Sequence, residues 1–147
     1  PPADEWEKSW RKNNESHPLV NNWKFLGLGI CVNDLDVSAK YYSKLGFKKY
    51  SEIKERKEWR VNSQEFCVGG IVFELIQAQK RSIYSNSLEQ RAEGVAELIF
   101  TVSDLQKEIN SLAKKGTDTL IISKEKKMAS IDTRHKANIL IRLIEED

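Results

Sequence analysis

No stretch of this sequence stays apolar for the roughly 18 residues that a membrane-spanning helix needs, which excludes a transmembrane segment. Proline and glycine are scarce, 3 and 7 among 147 residues, while 39% of the chain is hydrophobic and 31% charged. The charge is too evenly mixed for a disordered tail, so the composition is that of a soluble globular chain of about one domain's length. Neither sign of charge dominates: 24 basic against 22 acidic residues leave a formal +2. That is too small for the electrostatic footprint of a nucleic-acid binder. Only two cysteines occur, Cys31 and Cys67, too few for a disulfide framework. Neither belongs to a CxxC or to a Cys/His pair at zinc-ligand spacing, and both read as buried apolar fillers. An initiator methionine is missing before Pro1-Pro2, so a trimmed or processed chain is expected; a cytoplasmic location is the working expectation, with a removed targeting segment left open.

What the chain does have is a repeat. Leu28-Gly29-Ile30-Cys31-Val32-Asn33-Asp34-Leu35 is echoed by Leu98-Ile99-Phe100-Thr101-Val102-Ser103-Asp104-Leu105, both being period-2 apolar strands that run into Asp-Leu. A helical pattern follows each: Leu35, Ala39 and Tyr42 in the first copy, Leu105, Ile109 and Leu112 in the second, at i, i+4, i+7. Ser103 with Gln106 reads as a capping box for the second helix, and each helix stops at a glycine suited to the left-handed C′ position, Gly46 and Gly116. Strand-like segments then cover 47–54, 58–67 and 71–77 in the first copy, and 119–123, 127–132 and 139–145 in the second. Each copy reads βαβββ. The expected organisation is an N-terminal leader over 1–22 and one domain over 23–147, divided into a module at 23–77, a polar linker at 78–93 and a module at 94–147. In the leader, Trp6 and Trp10 at i, i+4 and a Glu7-to-Arg11 ion pair predict a short amphipathic helix, packed on the chain's own surface or on a partner, with a swapped contact in a dimer open.

Two βαβββ units with this opening resemble the vicinal oxygen chelate superfamily, which includes glyoxalase I, methylmalonyl-CoA epimerase, extradiol dioxygenases and bleomycin-resistance proteins. The resemblance spans residues 24–145, and its most specific piece is 27–47, ending in Tyr42-Ser43-Lys44-Leu45-Gly46-Phe47. The tail Ile139-Leu140-Ile141-Arg142-Leu143-Ile144-Glu145 is similar to the closing strand of the epimerase-like branch. The resemblance implies an α+β fold in which two modules in one chain form an incomplete barrel around a cavity, with the short N-terminal helix added; a homodimer is possible by the same resemblance. Metal enzymes of the family place ligands on the first and last strands of each module. Strand periodicity agrees: Leu28, Ile30 and Val32 form a helix-facing side, leaving Gly27, Gly29, Cys31 and Asn33 on the inward one.

At those implied ligand positions the sequence departs from the family. The first histidine falls on Gly27, the second on Glu97, the acidic ligand of the first module on Glu74, and the final glutamate on Arg142. One position is empty, two are carboxylates and one is a permanent cation that cannot coordinate a metal. Coulomb repulsion from the guanidinium would oppose a divalent ion by several kcal/mol, so no bound metal and no cofactor is expected. Glu74, Glu97 and Arg142 would instead form an ion cluster of net charge about −1. Either that cluster satisfies buried charges and pins the modules, or like-charge repulsion leaves Glu97 or Glu74 with a raised pKa as a candidate general base.

The remaining motifs add little. His17 and His135 read as solvated loop histidines, with a proton shuttle from His135 left open. The runs Lys124-Glu125-Lys126-Lys127 and Arg134-His135-Lys136 read as solvated hairpins, with a phosphate or coenzyme A tail as the alternative. Gly27 to Gly29 lacks the context of a dinucleotide fingerprint, and Cys31, though cavity-facing, has no cationic activator nearby in sequence. The leading expectation is a divergent, metal-independent, glyoxalase-like protein. It binds a small, mostly apolar organic molecule between its modules through Glu74, Glu97, Arg142 and Cys31. The alternatives are an isomerase, epimerase or lyase using a cavity glutamate, and a non-catalytic interaction module; whether it is an enzyme stays open.

Overall fold

The computed structural model describes residues 3–14, 22–85 and 93–147, with residues 3 and 10–14 described by their backbone alone. His17 and the middle of the expected linker, 86–92, therefore lie outside the described residues, as does the Trp10 side chain. The leader forms α1 (Ala3–Asn14), with Trp6 exposed. The first half continues as β1 (Lys24–Cys31), α2 (Leu35–Lys44), two short strands β2 (Lys48–Lys49) and β3 (Lys54–Arg56), β4 (Val61–Val68) and β5 (Ile71–Ala78). The second half repeats the plan with β6 (Gly94–Val102), α3 (Leu105–Lys114), β7 (Leu120–Ser123), β8 (Met128–Asp132), a one-turn α4 (Arg134–Ala137) and β9 (Leu140–Glu145). Where 47–54 reads as one strand in the sequence, the chain makes two short ones, both paired to β4.

The Asp-Leu repeat is a pair of helix starts. Asp34 and Asp104 occupy extended N-cap positions and accept hydrogen bonds from the Val37 and Lys107 amides, both at 3.1 Å. The cap of α3 is thus Asp104 and not Ser103: the carboxylate already reaches the amide three residues on, and Gln106 turns instead to Asn110. The Leu35 and Leu105 amides, orphans of the first turn, donate to Gln77 and Glu145 at the ends of β5 and β9. Each helix is thereby tied to the last strand of its own half. Gly46 and Gly116 take the left-handed conformation after α2 and α3, at φ +97° and +83°.

One mixed nine-stranded sheet runs β2-β4-β5-β1-β6-β9-β8-β7, with β3 also on β4. The halves meet where β1 and β6 pair antiparallel, Gly29 opposite Glu97, while β5 and β9 flank them in parallel. One face carries two cores: Leu28, Ile30 and Val32 with Phe66 and Leu75 under α2, and Val102, Ala129 and Leu143 under α3. Full burial of a Val, Leu, Ile or Phe side chain, as at Ile30, Phe66, Leu75 and Leu143, contributes roughly 1.5–3 kcal/mol. Trp23 closes the second core by donating to the buried Glu108 carboxylate at 3.1 Å.

The opposite face bears a third core that mixes the halves: Cys31, Trp59, Val61, Ile76 and Tyr84 cluster with Ala96, Ile122, Met128 and Leu140. Strands β4 and β8 have four other strands between them in the sheet order, so their residues meet only because the sheet wraps around on this side. On this side of the sheet the space between the halves is occupied by the Trp59 and Tyr84 rings and their aliphatic neighbours.

Candidate functional site

The strand register alone brings three of the expected residues together. Glu74 sits on β5 beside Gly29, Glu97 sits on β6 across from the same glycine, and Arg142 lies on β9 beside Ile99. All three are buried; Glu97 and Arg142 are 0% and 1% exposed. Arg142 extends between the two acids. Its Nε and Nη2 both donate to Glu97 Oε1, at 2.9 and 2.5 Å, and its Nη1 donates to Glu74 Oε1 at 3.1 Å. The other Glu97 oxygen accepts the Tyr84 hydroxyl at 2.6 Å. Every Glu97 oxygen is therefore held, while Glu74 Oε2 has no hydrogen-bond partner among the described residues.

Electrostatics follow from this burial. Loss of water disfavours the Glu97 carboxylate and pushes its pKa above the usual range, against the pull of Arg142 and the Tyr84 hydroxyl. Burial also opposes the Arg142 charge, but Glu74 and Glu97 outweigh it and carry its pKa well above that of an ordinary guanidinium. Tyr84 is raised well above the usual phenol value, first by burial and then by the Glu97 charge.

Several residues of the site lie outside the set expected from the sequence. Trp59, in the turn before β4, presents its ring to two guanidinium carbons, Arg142 at 5.0 Å and Arg56 at 5.5 Å, which is cation–π range. Glu65 on β4 pairs across the ladder with Glu74, and Arg56 Nη2 lies 3.6 Å from Glu65 Oε1. Burial and then the Glu74 charge raise the Glu65 pKa, with Arg56 and Arg142 opposing. Tyr84 arrives from the segment after β5, where Ser82 donates to the Trp59 carbonyl at 2.8 Å and ties that segment to the Trp59 turn.

The glycine positions differ from the expectation in an instructive way. A Cβ on Gly27 would lie 1.8 Å from the Val72 carbonyl oxygen, so the close approach of β5's backbone admits no side chain there. It is Gly29 whose missing side chain faces the cluster: a Cβ there would stand 2.8 Å from Glu97 Oε1. Cys31 is buried in the shared core with Ile76 and Tyr84. His135 is exposed on α4.

A cavity of about 730 Å³ opens against the cluster, with Arg56, Trp59, Glu65, Glu74, Met128 and Arg142 on its wall. Ile144 and charged residues at 125–127 and 145–147 line the rest, so the wall is mostly charged. Glu97 does not line it. Among the described residues no helix is long and apolar enough to cross a membrane.

Solved structures share this architecture. Methylmalonyl-CoA epimerase from Mycobacterium tuberculosis superposes with a TM-score of 0.73 at 22% identity, covering 90% of this chain and 92% of that one. A Streptomyces coelicolor methylmalonyl-CoA epimerase variant in complex with 2-nitronate-propionyl-CoA gives 0.72 at 18% identity, over 84% and 96%. A Bacillus halodurans protein gives 0.70 at 18%, over 85% and 95%. At these identities the likeness establishes the fold. A search of curated proteins returned no match. The family model described as the glyoxalase/bleomycin resistance protein/dioxygenase superfamily matches residues 28–134, from the first strand through the start of α4, and the chain belongs to that superfamily.

Proposed function

We propose that this chain is a metal-independent member of the superfamily that binds a small molecule in the cavity walled by Glu74, Trp59 and Arg142. The observation that carries the reading is the Arg142 guanidinium bonded to both acidic residues, Glu74 and Glu97. Two carboxylates that already share an internal cation offer a divalent ion no relief from the positive charge beside it, and of their four oxygens only the buried Glu74 Oε2 is without a partner among the described residues. The donor chemistry does not suit a metal: among the described residues no three His, Cys, Asp or Glu side chains come together to hold one, and Gly27 and Gly29 contribute no donor. Arg142 takes the electrostatic role of an ion, and the cavity beside it is what remains for a ligand.

An isomerase or epimerase reading has one observation in its favour. Glu74 lines the cavity and its Oε2 bonds to no described residue; that oxygen is itself buried, so a general-base role requires the wall to open around it. Glu97 is less suited than the sequence suggested, because both of its oxygens are engaged and it lies off the cavity wall. Binding stays the primary reading. Elemental analysis and calorimetric titration with a panel of divalent ions test it, and stoichiometric metal at micromolar affinity would overturn it. Exchange of substrate α-protons with solvent deuterium, lost in Glu74→Gln, would replace binding with turnover.

A further inference from the structure

Two apolar stripes face water in the single chain. On α1, Trp6 keeps more than half of its surface exposed, and every described side chain of that helix, 4–9, is exposed with it. Along α2 and its C-cap, Val37, Tyr41 and Leu45 recur every fourth residue, each more than half exposed and turned away from the buried Leu35 and Ala39. A helix of 12 residues is marginal in water by itself, so α1 draws its stability from a surface that covers Trp6. We propose that two copies of this chain form a dimer in which α1 of each lies on α2 of the other.

The match between the stripes singles out this occupant. Trp6 and Trp10 stand one turn apart on α1, as do Val37, Tyr41 and Leu45 along α2. Rows that repeat every fourth residue on both helices pack ridge into groove, crossing at about −50°. Charge sets the direction. The first turn of α1 holds Asp4 and Glu5, and its second half holds Arg11 and Lys12. Helix α2 starts with Asp34 and Asp36 and carries exposed Lys40 and Lys44 further on. In an antiparallel pairing each acidic end meets a basic one, whereas a parallel pairing sets like charges side by side. Each copy has one α1 and one α2, so a two-fold pair makes the contact twice and leaves neither stripe open, which the single chain does not achieve.

Analytical ultracentrifugation of the full chain, at concentrations from micromolar to millimolar, tests the exchange. A monomer–dimer equilibrium with a Kd on the order of micromolar is expected. Trp6→Ser and Tyr41→Lys are each expected to weaken it about tenfold or more, as loss of a central aromatic anchor does. Neither residue belongs to a core cluster, so the melting temperature of the dilute, monomeric protein is expected to change little. An equimolar mixture of these two variants retains one intact contact, wild-type α1 from one chain on wild-type α2 from the other. It is expected to associate several-fold more tightly than either variant alone, which an α1-on-α1 or α2-on-α2 interface does not allow. Asp4→Lys with Glu5→Lys, or Lys40→Glu with Lys44→Glu, is expected to weaken the dimer, and all four changes together to restore most of the loss. A chain that stays monomeric at millimolar concentration overturns the proposal, and docking of α1 on its own chain's α2 would give that result. So would a dimer that neither single variant weakens, or a mixture no tighter than its components.

Discussion

Replacing Arg142 by methionine keeps most of the side-chain volume and removes the charge. It leaves Glu97 with Oε1 unbonded and Glu74 without a cation, in surroundings where Glu97 is 0% and Glu74 5% exposed. Breaking a buried pair by removing one partner costs about 3–5 kcal/mol, because a charge stays behind without water or counter-ion. For a chain of this size each kcal/mol is worth about 2–4 °C, so the melting temperature is expected to fall by roughly 6–20 °C. Replacing all three charges together, Arg142→Met with Glu97→Leu and Glu74→Leu, is expected to recover most of that loss, because a well-packed apolar trio has no charge to desolvate. Urea denaturation of the single and triple variants, with calorimetry for the melting temperature, reads both numbers. An Arg142→Met protein within 1 kcal/mol of wild type would refute the cluster as a coupled unit, as would a triple variant no better than the single.

Tyr84→Phe removes only the hydroxyl that donates to Glu97 Oε2, and leaving that buried oxygen unbonded is expected to cost about 1–3 kcal/mol in urea unfolding. Gly27→Ala is expected to be far more damaging than Gly29→Ala in expression and thermal melting, since the first added methyl meets main chain and the second meets a carboxylate oxygen. The Glu65 pKa is raised in the folded chain, so the folded form holds the proton more tightly than the unfolded one. Stability is therefore expected to decline as pH climbs from about 4.5 through the folded value, and Glu65→Gln should flatten that slope in pH-dependent denaturation.

The repeat was readable because its signals are local: Asp34 and Asp104 cap helices within three residues, and Gly46 and Gly116 end them. Glu74, Glu97 and Arg142 were readable as neighbours because a two-residue alternation and a family register place them on the same face. Trp59 and Tyr84 were not, since they come from irregular segments whose course no periodicity describes. Glu65 is a different case. The Gly69-Gly70 step is a two-residue hairpin signal that sets Val68 opposite Ile71 and hence Glu65 opposite Glu74, so a facing pair of acids was legible from the turn alone. The filled space between the halves was hidden because it depends on how far the sheet wraps, which side-chain volumes decide and strand patterns do not.

The two ends of the sheet are unlike. One border consists of fragments of two and three residues that themselves contain Lys48, Lys49 and Lys54, lysines that make addition of a foreign strand unfavourable. The other is the four-residue β7, where Leu120 and Ile121 meet solvent with no lysine among them. Self-association of a weakened variant would begin along that unguarded border, and a lysine at position 121 is the natural gatekeeper against it.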